Sequence, residues 1–190
     1  MLERKLAEVL KYVMLKPHVF TVDDFMVMVN AGLFEGERVE LLDGMIVDMS
    51  PADPGHEFSI DSLNEKLGHV FYGRALVRIQ NSVDIELPEW LPHPDVVLAQ
   101  RQDYSKVRPK PENIFVLIEV ANTSLKLDLG RKREIYARVN IRDYWVADIN
   151  AQKWTLHRDP KGEQYRTVVE VPFGKAFAPL AFPDDARVWL

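Results

Sequence analysis

The sequence contains no cysteine. Disulfides and thiolate metal sites are therefore excluded, and the redox compartment is left undetermined. Long apolar runs are missing too, since none approaches the roughly 18–20 residues that cross a bilayer. The opening stretch MLERKLAEVLKYVMLK alternates charged with apolar side chains and has no signal-peptide core. A cytoplasmic protein with no membrane partner is the resulting expectation. Neither Gly-x-x-x-x-Gly-Lys-Ser/Thr nor Gly-x-Gly-x-x-Gly occurs, so the common phosphate cradles lack support. His-Glu-x-x-His and Gly-x-Ser-x-Gly are absent as well. There is no internal repeat or low-complexity tract. Positive charge is also short: 24 Lys and Arg stand against 29 Asp and Glu, for a net charge of −5. That total weighs against tight nucleic-acid binding, because phosphate neutralisation dominates such affinity.

What is present is globular. The chain has 190 residues, 47% hydrophobic and 28% charged, enough to bury one sizeable core. Helical spacing of Leu2, Leu6, Val9, Leu10 and Val13 predicts an amphipathic helix over the first sixteen residues, ended by Pro17. Thr21 and Asp24 resemble a capping box for a short helix reaching about Gly32. In RVELLDGMIVDM, two β-prone runs flank Asp43-Gly44, the dipeptide favoured in type I′ hairpin turns. A helix is expected over 56–70, then strands at 75–80, 95–100 and 114–121. The run IFVLIEVA is almost continuously apolar, as in a central strand covered on both faces. Helix returns at 128–139, followed by strands in DYWVADI, KWTLHR and YRTVVEV, and a proline-containing end that wraps the surface. The pattern predicts an α/β fold with a mixed β-sheet flanked by helices. A single domain over 1–190 would comprise an N-terminal helical segment (1–35), a core (36–150) and C-terminal strands with the wrap (151–190).

Glu119 interrupts IFVLIEVA where its neighbours demand burial. An ionised carboxylate there is costly unless paired or bound to metal. Asp95 opens the preceding strand, and alternation puts it on one face with Val97 and Ala99. Two strands each presenting a carboxylate near a common sheet edge suit Mg²⁺, which takes one or two carboxylates and keeps other positions for water and phosphate. Lys132 follows on a helix, sharing a face with Asp128 and Tyr136. A lysine beside a metal-bound water can orient or deprotonate it and stabilise developing charge. Taken alone, the run Arg131-Lys132-Arg133 reads as a solvated face. Glu40, between Val39 and Leu41, reads as a surface residue of an edge strand, and His56 as a helix-start residue. Asn122-Thr123-Ser124 fits a glycosylation acceptor but carries little weight without a signal peptide.

These residues carry a likeness. Asp95 in HPDVVL, Glu119 in LIEVANTS and Lys132 in DLGRKREIYARVNIRDYWVAD resemble the PD-(D/E)xK nuclease superfamily. More narrowly, the chain resembles the branch of restriction endonuclease-like proteins long catalogued as a domain of unknown function. The likeness runs from FTVDDF through RVELLDGMIVDMSPADPGH to YWVADINAQKW, most of the chain. It implies a restriction endonuclease-like core in which Asp95 and Glu119 bind Mg²⁺, or Mn²⁺ as a substitute, with the Val120 carbonyl as a further ligand. Glu40 would be the earlier acidic residue of the catalytic set. The superfamily's usual lysine stands two positions after the second acid, where this chain has Ala121. The branch it resembles supplies a lysine from the next helix, here Lys132. His56, Gln80, Arg131 and Tyr136 fall at positions expected to contact substrate, and Asp128 and Tyr144-Trp145 also match family positions.

The leading expectation is a Mg²⁺-dependent endonuclease acting on DNA. An alternative, motivated by Ala121 and the acidic total, is a nuclease fold retained as a binding or assembly module. A weaker one is a metal-free hydrolase using two carboxylates as acid and base. Cleaving both strands of a duplex favours a homodimer. The charge also divides unevenly: residues 100–140 hold nine Lys and Arg and five acids, a local +4, which leaves −9 elsewhere. A basic rim on an acidic body would permit weak, salt-sensitive contact with DNA.

Overall fold

A computed structural model describes residues 17–49, 53–187 and 189–190. The amphipathic helix expected over residues 1–16 lies outside the described residues.

Helix α1, Val22–Asn30, starts where the capping box predicts: Thr21 Oγ1 accepts the Asp24 N–H, and Asp24 Oδ2 accepts the Thr21 N–H. Strands β1 (Val39–Leu42) and β2 (Met45–Asp48) form the hairpin, with Asp43 and Gly44 at φ 49° and 69° as a type I′ turn requires. Helix α2, Pro54–Val70, begins two residues before the expected start. Proline costs nothing in the first turn, where its missing N–H has no intrahelical partner, and Asp53 caps the N–H groups of Gly55 and His56.

The main sheet has six strands in sequence order: β3 (Ala75–Ile79), β4 (Val96–Gln100), β5 (Ile114–Ala121), β6 (Asp143–Asp148), β7 (Lys153–Lys161) and β8 (Gln164–Pro172). Only β5 and β6 run parallel, joined by the helical crossover α3 over 125–138. Alternation along β4 and β5 sorts the core into two layers. Val96, Leu98, Ile118 and Val120 meet Leu63 and Leu67 of α2 on one face. Val97, Ala99, Leu117 and Ala121 meet Ile135 and Tyr136 of α3 on the other. The architecture is the expected α/β sandwich of helices about a mixed sheet.

Two features depart from the sequence reading. The C-terminal stretch does more than wrap the surface. Trp189 is fully buried among Trp145, Phe71 and Phe177, and its indole N–H donates to the Phe177 carbonyl. The connection between β3 and β4, which no periodicity marks, buries Val83, Ile85, Trp90 and Leu91 and bridges Leu91 to Leu41. That bridge gives β1 a neighbour on its second side and ties the hairpin to the sheet.

Candidate active site

The site forms where β4 starts and β5 ends. Register places Val96 opposite Ile118, so Asp95 and Glu119 meet across the ladder. The Asp95 N–H lies 3.4 Å from Glu119 Oε2, and Asp95 Oδ2 accepts the Val120 N–H at 2.8 Å. From α2, His56 Nε2 reaches Asp95 Oδ2 at 3.3 Å, a contact that raises the His56 pKa. Gln80, held at φ 49° just after β3, points its amide at Asp95 Oδ1 from 3.5 Å.

The opposite wall is α3. Its middle is a π-type turn over Asp128–Lys132, with Gly130 outside helical geometry at φ −105°, ψ −105°. Such a bulge re-aims the side chains around it. Asp128, Lys132 and Tyr136 share the inward face, as their spacing predicts. Lys132 Nζ lies 3.1 Å from Glu119 Oε1, 3.6 Å from Glu40 Oε1 and 3.8 Å from Asp128 Oδ1. The Tyr136 hydroxyl donates to Glu119 Oε1 at 3.1 Å. Tyr144 fixes the turn itself by donating to the Asp128 carbonyl at 3.0 Å.

Two sequence readings are corrected. Glu40 is buried, at 6% exposure, because the Leu91 segment covers β1 and its His93 N–H donates to Glu40 Oε2 at 3.1 Å. The run Arg131-Lys132-Arg133, a solvated face when taken alone, is not one throughout: Lys132 is buried, at 5%, on the face it shares with Asp128 and Tyr136, while Arg131 and Arg133 stay partly exposed.

The electrostatics follow from that burial. Three buried carboxylates, of Glu40, Glu119 and Asp128, lie within 3.8 Å of one buried ammonium, and a fourth, Asp95, contacts His56. Burial pushes the Glu119 carboxyl well above the usual range, and Lys132 only partly offsets this. Asp128 is raised for the same reason. Burial alone would pull the Lys132 ammonium down, but Glu119, Glu40 and Asp128 together hold it above the ordinary lysine range.

Around these groups lies a cavity of about 390 Å³ that also takes in His56, Gln80, His93, Val120 and Arg131. Among the described residues, no three His, Asp or Glu side chains already converge as a metal cage. A Mg²⁺ ion does not need one, since water and substrate oxygens fill most of its positions. The excess of buried carboxylate over buried cation is the donor chemistry such an ion fits.

Of the residues expected to touch substrate, His56 and Gln80 brace Asp95, and Tyr136 is fully buried behind Glu119. The Arg131 guanidinium is held by both Asp43 oxygens, at 2.7 and 2.6 Å, and lies 5.9 Å above the Trp90 ring, whose N–H also donates to Asp43. Sequence reasoning gave Asp43 only a turn role, because nothing local signals its long-range partner. It also missed Asp53, which accepts the Asn122 amide while Asn150 donates to Asn122, so Asn122 of the Asn-Thr-Ser triplet serves as a structural clasp. The basic rim is thinner than its composition implies: Lys132 is buried, Arg131 is paired with Asp43, and Lys110 with Glu86.

A model of the Uma2 family, described as "Putative restriction endonuclease", matches residues 22–188. The chain belongs to the Uma2 family. A search of curated proteins gave no match. Among solved structures, the chain is similar to the crystal structure of a "putative nuclease belonging to DUF820" from Anabaena variabilis ATCC 29413. The TM-score is 0.69 at 12% identity, over 90% of this chain and 95% of that one, a likeness of fold. Among the described residues, no helix of this Uma2 protein is long and apolar enough to cross a membrane.

Proposed function

We propose that this Uma2 protein is a Mg²⁺-dependent endonuclease that hydrolyses phosphodiester bonds in DNA. Family membership supports a nuclease. The observation that carries the finer reading is the imbalance of four buried carboxylates against one buried ammonium in an open cavity. Asp95 and Glu119, with the Val120 carbonyl, would hold Mg²⁺ or Mn²⁺. Bound there, the ion supplies a water of lowered pKa and positive charge for the phosphate oxygens.

The chain's own groups do the rest. Three carboxylates within 3.8 Å keep the Lys132 proton in place, so Lys132 serves as a fixed cation and hydrogen-bond donor rather than a base. Charge that grows on a phosphate oxygen during in-line displacement is stabilised by such a donor. Tyr136 and Lys132 fix one oxygen of Glu119, and His56 and the Val120 N–H fix one oxygen of Asp95. Glu40 anchors Lys132 from the hairpin.

The rival reading, a binding or assembly module without cleavage, draws on Ala121, which sits fully buried in apolar packing. The approach of Lys132 to Glu119 supports catalysis instead, because it provides an ammonium from the helix. A symmetric homodimer, which would place two sites on one duplex, belongs to the same proposal. Sedimentation at micromolar concentration tests it, and a clean monomer would count against it. The nuclease itself is tested by cleavage of plasmid and single-stranded DNA in Mg²⁺ and Mn²⁺. Equal activity in wild type and Asp95→Asn would sink the assignment.

A further inference from the structure

A second cavity, of about 290 Å³, opens beside the first between α1 and the hairpin. Arg38, Met49, Gln80 and His93 line both, so the two share a wall. Their balance of charge differs. The first is lined by several buried carboxylates, whereas the second is lined by Phe25, Phe34 and Met26 with two arginines, Arg38 and Arg108, and one exposed carboxylate, Glu37. Phe25 is buried and packs on the partly buried Phe34 at 5.8 Å. Arg108 is only half-buried, and among the described residues its guanidinium has no carboxylate partner. Its Nε donates to Ser82 Oγ at 2.8 Å, and an Nη lies 3.5 Å from the Met26 sulfur. Arg38, on the rim, likewise makes no ion pair among the described residues.

We propose that this second cavity is a nucleotide subsite, in which one unpaired base lies against Phe34 while Arg108 and Arg38 take the phosphates flanking it. The proposal rests on the nuclease reading and adds that the substrate presents an extruded or single-stranded nucleotide next to the scissile bond. Aromatic rings accept any base face, and guanidinium groups suit phosphate oxygens. Gln80, left-handed at φ 49° and lining both cavities, stands between the base and Asp95. The separation of charge also answers a difficulty of the first cavity, whose carboxylates repel phosphate: the substrate is held by the neighbouring cations.

The test is binding of a dT octanucleotide and an abasic strand of equal length and charge, by fluorescence anisotropy in Ca²⁺ buffer. Wild type should prefer the base-bearing strand by roughly tenfold, the scale of one aromatic stack. Phe34→Ala should erase that preference and leave abasic binding unchanged. Arg108→Gln should weaken both strands alike and lower the salt dependence by about one unit of slope. Equal wild-type affinity for the two strands overturns the proposal whether or not either variant folds, as does a preference that survives in Phe34→Ala. Cleavage is scored separately in Mg²⁺. A base preference without cleavage would remove the nuclease and leave the subsite, and cleavage without a base preference would remove only the subsite.

Discussion

Among the described residues, two buried ionic clusters are built on different terms. Around Asp143, one fully buried carboxylate meets Arg158 at 2.8 Å, the Trp145 indole N–H at 2.7 Å and the Leu180 N–H at 2.8 Å. Burial pushes that carboxyl up, but the donors pull it back. Around Lys132, three carboxylates share one ammonium, with Asp95 next to Glu119 as a fourth; Asp128 Oδ1 has no hydrogen-bond partner, and Glu119 sits well above its ordinary range. The first cluster is closed and holds β6, β7 and the C-terminal stretch together. The second lines a cavity and is short of positive charge. A buried acid with its donors supplied is architecture, whereas one left short of them is ready for a ligand.

The comparison can be broken most forcefully through activity. Asp95→Asn should lower Mg²⁺-dependent DNA cleavage by more than about 100-fold, the upper range for losing even a supporting group around a metal. Asp143→Ala should leave the site's chemistry intact but destabilise the fold by about 3–5 kcal/mol, because Arg158 and two buried N–H groups lose their partner. In a chain of this size that lowers Tm by roughly 10 °C, read by thermal melting.

Acid provides a third test, in the layer of Tyr144 and Tyr165 that packs against α3. His157 is packed between Tyr144 and Tyr165, and burial lowers its pKa to about 4. An unfolded histidine titrates near 6.5, so the unfolded chain takes up the proton first. Stability from this residue is therefore full above about pH 6.5 and falls as pH drops toward 4, by no more than about 3 kcal/mol. Urea titrations across that window should show the loss, and His157→Gln should flatten it. The smallest effect has the opposite sign. Glu119→Gln removes one of four crowded charges and should raise stability by about 1 kcal/mol while abolishing cleavage. A destabilised Glu119→Gln would mean that the two clusters are built alike.

How much of this was legible in the sequence depended on range. Glu119 stood out as a charge inside an apolar strand and Asp95 as the opening of the strand before it, so both were expected near a common sheet edge; the Thr21–Asp24 spacing located α1, and Asp43-Gly44 located the hairpin. Each of these is local chemistry. Glu40 read as exposed because the segment that covers it, through Leu91, lies some fifty residues away and has no periodicity. The run Arg131-Lys132-Arg133 reads as solvated when taken alone, whereas the spacing of Asp128, Lys132 and Tyr136 marks the helix face that is buried. Asp43 and Asp53 were invisible as clasps, since their partners Arg131 and Asn122 are distant in the chain. The second cavity needed α1, the hairpin and the Arg108 loop brought together in space.

The central claim is that the carboxylate cluster is short of a cation that it binds. Titration calorimetry with Mn²⁺ on wild type and Asp95→Asn tests it most directly. Wild type should take up Mn²⁺ saturably, and that uptake should disappear in Asp95→Asn, with both proteins folded. Uptake that is absent from wild type, or unchanged by the substitution, would contradict it.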